Sequence, residues 1–245
     1  MGQLYAVASG KGGTGKTSVC AGLAVALAEN GRKVLCVDCD VGLRNLDISL
    51  GMSDDSGLSF LEICRGEYPL SAAPCHPAYP TLAFLTAPMN CLAGDIDSAA
   101  FSELMGHARE CFDYVFLDAP AGVGSGFRLV SGAAEDFLLV TGSSPASLRD
   151  AARVGDLLEL SGKTRVRLIV NRVDGDMLYS LRLTIDDIMD TAGLPLAGII
   201  PEDPEVTLAA AQGKPLLSVR RSCAAAACRR IAGRLEGRYV PVPLR

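Results

Sequence analysis

A glycine-rich stretch near the start of the chain, residues 9–18, constrains the fold more than any other feature of this sequence. An apolar, β-favouring run at residues 4–8 precedes it, and apolar residues at helical spacing follow it up to Gly31, a natural helix stop. A strand, a glycine-rich turn and a helix in this order bring backbone N–H groups together at a helix N-terminus. Because those donors have no partner within the helix and the helix dipole is positive there, the turn favours phosphate.

The stretch also matches the phosphate-loop pattern G-x-x-x-x-G-K-[ST] in full at residues 10–17, with the required strand before it and helix after it. In this pattern Lys16 places its charge at the β- and γ-phosphates, and the Thr17 hydroxyl binds Mg²⁺. A turn that needs glycine for conformational reasons alone is the alternative, but the complete pattern favours a nucleotide site. Lys11 is an addition that the pattern does not require, and a second lysine beside a triphosphate indicates a second role. The predicted nucleotide contacts in this stretch are Gly10, Lys11, Gly12, Gly13, Thr14, Gly15, Lys16, Thr17 and Ser18.

The composition fits one large α/β domain over residues 1–245. Hydrophobic residues make up 49% and charged residues 21%, which excludes general disorder and provides a well-buried core. No apolar run reaches the ~20 residues that span a bilayer, and no basic segment of a secretory signal precedes the first strand, so we expect a cytoplasmic protein. The formal net charge of −5 argues against a protein that coats nucleic acid, so nucleic acid is not an expected partner.

The 9 cysteines do not indicate a disulfide framework or a metal site. Their odd number and scattered positions favour reduced thiols packed as small hydrophobic residues. Cys36 and Cys39 have C-x-x-C spacing, but at the end of a strand they are expected to point to opposite faces of the sheet. We therefore expect Mg²⁺ to be the one metal ion of this protein.

Carboxylates follow two further predicted strands. A continuous apolar run at residues 33–38 ends in Asp38, with Asp40 close behind it, and a second run at residues 114–118 ends in Asp118. Carboxylates at the carboxyl ends of parallel strands lie where α/β proteins bind ligands, and these can serve a metal-bound phosphate and an attacking water. An Asp-rich turn held by side-chain-to-backbone hydrogen bonds is the alternative. Asp118 fits a Walker B strand, whose aspartate reaches Mg²⁺ directly or through water.

The rest of the chain alternates short apolar runs with helical patterns. This alternation predicts a doubly wound, mainly parallel α/β sheet with helices on both faces, as in P-loop NTPases. We expect an irregular connection at residues 71–81, a glycine-rich loop that responds to the γ-phosphate at residues 120–126, and the last helix at residues 215–235. A further strand ends at Asn171, whose amide is suited to the adenine edge, although asparagine is also common in turns.

Several motifs resemble those of the MinD/ParA class of P-loop ATPases, and within it those of the MinD family. The loop at residues 11–17 carries the extra first lysine of the class, and the run Gly-Leu-Arg-Asn-Leu-Asp at residues 42–47 is similar to MinD and its nearest relatives. The order and spacing of the motifs match from residue 3 to about residue 243, which is nearly the whole chain. The further motifs that carry the resemblance are residues 38–47, 118–122, 145–150 and 200–203.

The resemblance implies an ATPase that regulates placement of the division septum and forms an ATP-dependent homodimer face to face around two ATP molecules. Lys11 would reach the phosphates held by the partner subunit, Lys16 would hold those of its own subunit, and Asp40 would position the attacking water. The resemblance also implies Thr17, Asp38 and Asp118 as Mg²⁺ ligands, Asn171, Arg172 and Pro201 as adenine contacts, and regulators like MinC and MinE at a surface formed by Arg44, Asn45, Leu46 and Asp47.

The sequence departs from the family at two places. Thr14 replaces the valine that is more usual there, which should be tolerated because the backbone makes the contact. After its last domain helix the family carries a short amphipathic helix that binds membrane. Here residues 239–245 contain Pro241 and Pro243, which forbid a helix, and too few apolar residues for an anchor. We therefore expect either a different tether, with the protein peripheral to the inner face of the membrane, or no direct membrane binding.

Three other functions remain as alternatives. A ParA-like partition ATPase would bind DNA through basic residues, but the candidates Arg220, Arg221, Arg229 and Arg230 are few. A flagellar-placement relative of MinD shares the same motifs. A metallochaperone of the same fold would carry a cysteine pair near the dimer face, and residues 118–222 contain no cysteine, so this alternative ranks last.

Overall fold

The computed structural model describes residues 1–41, 43–53, 57–89 and 91–242, apart from the side chain of Leu181. Strands and helices alternate along most of the chain. The strands are β1 (Gln3–Ala8), β2 (Val34–Asp38), β3 (Cys75–His76), β4 (Tyr79–Leu85), β5 (Tyr114–Asp118), β6 (Asp136–Thr141), β7 (Arg165–Val173) and β8 (Leu196–Pro201). The helices are α1 (Lys16–Glu29), α2 (Leu46–Leu50), α3 (Phe60–Cys64), α4 (Ser98–Cys111), α5 (Ser125–Ala133), α6 (Pro145–Leu160), α7 (Gly175–Leu181), α8 (Ile185–Ala192), α9 (Glu205–Ala211) and α10 (Cys223–Leu235).

The strands of the described residues form one sheet in the order β3-β4-β2-β5-β1-β6-β7-β8. Each neighbouring pair is parallel except β3 and β4, which are antiparallel. The predicted doubly wound, mainly parallel sheet is therefore confirmed. In the register of the central strands, Asp118 lies beside Val7 of β1 and beside Asp38 of β2. The ends of three adjacent strands thus bring the glycine-rich loop and both aspartates to the same edge of the sheet.

Helices cover both faces of the sheet, because alternate residues of the central strands point to opposite sides. On β1, Ala6 belongs to the core beneath α4, α5 and α6, whereas Tyr5 and Val7 belong to the core beneath α1 and α10. Cys36 lies in the second of these cores and Cys39 in the first, so the two sulfurs are on opposite faces, as predicted. Their separation by the sheet prevents them from sharing a metal ion.

Three local predictions were wrong for identifiable reasons. The connection at residues 71–81 contains strand β3 and the start of β4; Pro80 is tolerated because the ladder with β2 begins at Leu82. The loop after Pro120 ends at Gly124, and Gly126 lies in α5, where a Cβ would overlap Pro120. The last helix begins at Cys223 rather than residue 215, because the Ser222 hydroxyl caps it by accepting the Ala225 N–H at 2.9 Å.

The segment after α10 is held against that helix. The Arg234 guanidinium donates to the carbonyl oxygens of Val240 and Pro241 at 2.7 and 2.8 Å, and residues 239–242 carry no helix. Pro243, counted above against a helix, lies outside the described residues, as does Gly42 of the 38–47 motif. Within the described ranges, no helix combines the length and the apolar character needed to cross a membrane.

The packing of α1 on α10 depends on a glycine. A Cβ added at Gly22 would lie 2.7 Å from the Sγ of Cys228. We expect Gly22→Ala to lower the free energy of unfolding by about 1–3 kcal/mol in a urea titration, because overpacking outweighs the better helix propensity of alanine.

The matched control is Gly106→Ala in α4, where an added Cβ meets no neighbouring atom within 4 Å. That variant should be neutral or more stable by up to about 1 kcal/mol. The double variant Gly22→Ala with Cys228→Ala should recover most of the loss, because the clashing sulfur is removed. A Gly22→Ala protein as stable as the wild type would show that this contact does not limit the packing.

Candidate nucleotide site

The loop between β1 and α1 has the backbone of a phosphate cradle. Gly13 and Gly15 have φ angles of 79° and 82°, in the left-handed region that favours glycine. Gly10 is required for a different reason, because a Cβ there would lie 2.6 Å from the Cβ of Asp150 in α6. Apart from the adjacent residues of the chain, no atom that the structure describes lies within 4 Å of a Cβ built on Gly12 or Gly13, so this side of the loop is open to a ligand.

The loop and the start of α1 line a cavity of about 390 Å³ whose chemistry suits an anion. Gly15 occupies the N-cap position of α1 and has no side chain that could accept the first N–H groups of the helix. These donors adjoin the cavity, and Lys11 and Lys16 also line it, so the residues present fit phosphate oxygens. The cavity wall opposite the loop consists of Asp40, Asn45, Ile48, Ser49 and Ala121.

Lys16 forms a buried ion pair with Asp118, its Nζ lying 2.6 Å from Oδ1. The same ammonium lies 3.5 Å from the hydroxyl of Thr17, so the lysine contacts two of the three proposed metal-binding groups. Burial alone would lower the pKa of Lys16, but the adjoining Asp118 carboxylate outweighs burial and raises that pKa. The lysine therefore carries its charge. A phosphate in the cavity would compete for the charge of Lys16. The Asp118 carboxylate would then be available to a cation such as Mg²⁺.

Asp38 is fully buried and holds the loop that follows β2. Its Oδ1 accepts the Asp40 N–H at 2.9 Å, and its Oδ2 accepts the N–H groups of Asn45 and Leu46 at 3.1 Å. Burial, and then the nearby Asp118, raise the pKa of Asp38 to about 6, although the three hydrogen bonds oppose the shift. These bonds form the turn that the sequence analysis gave as the alternative for Asp38, and the assignment of Asp38 as a metal ligand stays a prediction.

The protein groups near the loop suit Mg²⁺ rather than a metal enclosed by protein. In the described ranges, no three His, Cys, Asp or Glu side chains are grouped so that they could enclose a metal ion. Mg²⁺ is commonly held by one or two carboxylates, a hydroxyl and the substrate phosphates, with water completing the octahedron. Thr17 and Asp118, in contact through Lys16, are such a set.

Asp40 lies where the phosphate cavity meets a second cavity. The carboxyl group is half-buried; burial raises its pKa, and the charge of Lys16 opposes this shift. The second cavity has a volume of about 550 Å³ and lies between the segment around Leu92 and the start of α5. Asp40 and Ala121 line both cavities. Asp40 is therefore placed beside the cradle and open to the outside, where a water molecule or another chain can enter.

A third cavity, of about 210 Å³, adjoins the cradle and contains the predicted base contacts. Asn171, Arg172 and Pro201 all line it, together with Gly13 and Gly15 of the loop. The Asn171 Nδ2 donates to the Thr14 carbonyl oxygen at 2.8 Å, which leaves Oδ1 as the acceptor of this amide. Arg172, whose φ is 56°, donates through Nε and one terminal nitrogen to Glu202 at 2.7 and 3.3 Å, at the rim of the cavity.

Lys11 and the predicted partner surface differ in exposure. Lys11 is exposed, and its ammonium makes no ion pair with any residue that the structure describes. Leu46 is fully buried, because α2 packs against α1, so its assignment to an exposed surface was wrong. Asp47 is also buried, and it accepts a hydrogen bond from the Arg44 Nε at 2.9 Å. The exposed side chains of the segment include Leu43, Asn45 and Ile48.

Asp203 is a buried carboxylate beside the base cavity whose role sequence reasoning missed. Its Oδ1 accepts the Glu205 N–H at 3.0 Å, and its Oδ2 accepts the Ser222 hydroxyl at 2.7 Å and the Ala224 N–H at 3.0 Å. One side chain thus ties the end of β8 to the starts of α9 and α10. The available signal was an aspartate just before a helix-opening proline and glutamate, which is sufficient to suggest the bond to Glu205 but not the bonds to Ser222 and Ala224.

A phosphate loop, aspartates at two adjacent strand ends and an adjoining base cavity define a P-loop nucleoside triphosphatase. The comparisons with known proteins agree. The CobQ/CobB/MinD/ParA nucleotide binding domain matches residues 5–216. The chain is 35% identical over 244 residues to the septum site-determining protein MinD of Synechocystis, covering 98% of this chain and 92% of that protein.

Solved structures extend the comparison. A chain of the MinC:MinD cell division protein complex of Aquifex aeolicus matches with a TM-score of 0.90 at 32% identity, covering 98% of each chain. The MinD of Pyrococcus horikoshii, complexed with Mg-ADP, matches with a TM-score of 0.82 at 29% identity, covering 96% of each chain. The chain belongs to the CobQ/CobB/MinD/ParA nucleotide-binding family. Within that family it is a MinD-like septum-site ATPase.

Asp203 generates a pH-dependent stability prediction. Burial works against its charged form, but the hydrogen bonds from Ala224, Ser222 and Glu205 outweigh burial and lower the pKa of Asp203 to about 2. A carboxyl with a depressed folded-state pKa stabilises the fold above the unfolded pKa, and this contribution is lost as the pH falls from about 4 to about 2.

We expect Asp203→Asn to lower the free energy of unfolding by about 2 kcal/mol at neutral pH, and the difference from the wild type to shrink below about pH 4. Urea unfolding of both nucleotide-free proteins over a pH series measures this. A difference that stays constant through the acid range would contradict the assignment of the effect to the ionised carboxyl.

Proposed function

We propose that this cytoplasmic chain, residues 1–245, acts as one ATPase domain whose ATP-dependent homodimerisation controls placement of the division septum. The observation that carries the proposal is the contrast between its two loop lysines. Lys16 is buried and paired inside the cradle, whereas Lys11 is exposed at the mouth of the same cavity. A cradle that already holds one lysine does not need the second for its own phosphates. Lys11 is therefore available to the phosphates of another subunit.

The chemistry within one subunit follows from the residues around the cradle. The loop N–H groups bind the phosphates, and Lys16 moves its charge from Asp118 to the β- and γ-phosphate oxygens. Mg²⁺, when bound, neutralises and orients the phosphate oxygens. Thr17 and Asp118 would hold that ion, and Asp38 stays the third proposed ligand. Asp40 orients the attacking water, because its half-buried carboxylate lies beside the cradle on the side open to solvent.

The base cavity favours adenine. One N–H of the Asn171 Nδ2 is donated to the Thr14 carbonyl oxygen, and the Oδ1 of the same amide is an acceptor for the base. The exocyclic amine of adenine donates to such an acceptor, whereas the corresponding group of guanine is itself an acceptor. Pro201 lines the cavity wall, and the pair of Arg172 and Glu202 lies at its rim.

Dimerisation is supported by the apolar side chains around the phosphate cavity. Ile48 lines that cavity and is 41% exposed, and Leu92 lines the adjoining cavity and is 73% exposed. In the proposed dimer the second chain covers both of these apolar side chains. A twofold axis through this face would place the same surface on both subunits and each Lys11 over the opposite phosphates.

The regulators would meet the dimer at the segment that follows β2. The relative from Aquifex aeolicus was solved as a complex of MinC with MinD, which supports a MinC-like partner for this chain. We place MinC-like and MinE-like regulators at Arg44, at the exposed Asn45 and at Leu43, which is 68% exposed. Asp38 holds this segment through the N–H of Asn45, so a change of contacts at the ends of β2 and β5 can alter the conformation of the segment at the surface.

A DNA-binding function has less support than septum placement. Of the four basic candidates near α10, Arg229 donates to both carboxylate oxygens of Glu29 at 2.7 and 2.9 Å. It also donates to the Leu217 carbonyl oxygen at 3.0 Å, so its guanidinium serves the fold.

The two loop lysines should give different phenotypes. Lys16→Ala should abolish nucleotide binding, because it removes the charge inside the cradle. Lys11→Ala should bind ATP within about threefold of the wild type but form no ATP-dependent dimer, because a cross-subunit charge contributes to association rather than to the cradle itself. Fluorescent-nucleotide titration and light scattering with Mg·ATP and Mg·ADP measure the two properties.

Lys214→Ala is the matched control for Lys11, since it removes an exposed lysine whose ammonium contacts Gln212 instead of the cradle. It should dimerise like the wild type. If Lys11→Ala and Lys214→Ala dimerise equally well with ATP, the cross-subunit assignment is wrong.

Asp40→Ala should slow ATP hydrolysis by at least about 100-fold, because the attacking water loses its positioned acceptor. Its ATP-bound dimer should therefore persist after the wild-type dimer has dissociated. Phosphate release in a single turnover measures the rate. Asp95→Ala removes a carboxylate from the far wall of the adjoining cavity and serves as the control. Equal turnover in the two variants would refute the role of Asp40.

A further inference from the structure

The hydroxyl of Thr14, in the glycine-rich loop, has no hydrogen-bond partner although Thr14 is only 8% exposed. In the part of the chain that the structure describes, no other buried side-chain oxygen or nitrogen lacks a partner. The hydroxyl of Thr141, for comparison, donates to the carbonyl oxygens of Gly142 and Ser147 at 3.1 and 3.0 Å. A buried hydroxyl without a partner is costly, so the exception in the nucleotide loop requires a physical account.

The main chain around Thr14 cannot easily move to relieve this cost. Its carbonyl oxygen is held by the Asn171 Nδ2 at 2.8 Å, and the neighbouring Gly15 lies against the same amide. Left-handed glycines flank Thr14 on both sides. Rotation about χ1 is the movement by which the hydroxyl would reach a partner, because it exchanges the positions of the hydroxyl and methyl groups of a threonine without moving the backbone.

A ligand in the cradle would supply the missing acceptor. Thr14 lines the phosphate cavity with Lys16 and Thr17, and phosphate oxygens are strong acceptors for a hydroxyl donor. Valine has nearly the same shape as threonine and carries no hydroxyl, so it would avoid the cost in the nucleotide-free protein. The hydroxyl therefore lowers the free energy only in a state where an acceptor is present.

We propose that Thr14 is a nucleotide-positioning residue whose hydroxyl donates a hydrogen bond to a phosphate oxygen of the bound nucleotide. This contact adds to the backbone contacts of the loop, which were expected to be the sole contribution of this position. The proposal rests on the proposed function for the identity of the nucleotide.

The test compares Thr14→Val and Thr14→Ser with the wild type, using Mg·ATP affinity by calorimetry and urea unfolding without nucleotide. We expect Thr14→Val to unfold at a higher urea concentration and yet to bind Mg·ATP about 10- to 150-fold more weakly, because a hydrogen bond to a charged group is lost. Thr14→Ser retains the hydroxyl and should bind within about threefold of the wild type. A merely structural role would not move stability and affinity in opposite directions.

Thr141→Val is the matched control, since its hydroxyl is buried and fully bonded. That variant should lose stability and keep its affinity for Mg·ATP. Wild-type affinity in Thr14→Val would overturn the proposal, and so would a Thr14→Ser protein weakened as much as Thr14→Val, since shape would then be responsible. A wild-type protein that does not bind Mg·ATP would instead overturn the proposed function, so the two failures are distinguishable.

Discussion

The buried ion pair between Lys16 and Asp118 is the interaction on which the site depends. It joins side chains 102 positions apart, and it requires β1 and β5 to be parallel neighbours. It also requires α1 to begin at Lys16, directly after the left-handed Gly15. Removing one partner of such a pair leaves a buried charge uncompensated, which typically costs about 3–5 kcal/mol. The glycine-rich loop, the sheet order and the first helix are therefore parts of one arrangement.

The same pair explains how nucleotide binding can affect the exposed segment that contains Asn45. A phosphate that takes the charge of Lys16 leaves Asp118 beside Asp38, its partner in the register of β2 and β5. Asp38 in turn holds the N–H groups of the segment that contains Asn45, which is exposed. In the proposed switch, Lys16 changes its partner from Asp118 to a phosphate. This change is transmitted through the loop after β2 to the face that another chain covers.

Local signals in the sequence were sufficient to predict the fold class and the phosphate loop. Contacts between residues that are distant in the sequence could not be predicted from such signals. Glycine and lysine spacing and short apolar runs identify the loop and the strands without knowledge of their neighbours. The orientation of the Asn171 amide depends on Thr14, 157 positions away, and Asp203 meets partners from 2 to 21 positions away. Gly126 was interpreted as loop flexibility, but the contact with Pro120 explains it. Leu46 was assigned to the partner surface with its whole motif, on the resemblance alone, although its own side chain packs inward.

The central claim is that two chains complete each ATP site, and mixing two inactive variants tests it most directly. In a dimer of Lys11→Ala with Asp40→Ala, the site in the first subunit has its own Asp40 and the Lys11 of the second. The account predicts that the mixture hydrolyses ATP faster than either variant alone, because each mixed dimer has one intact site. A mixture that hydrolyses ATP no faster than the separate variants, while mixed dimers form, would contradict a site shared between two chains.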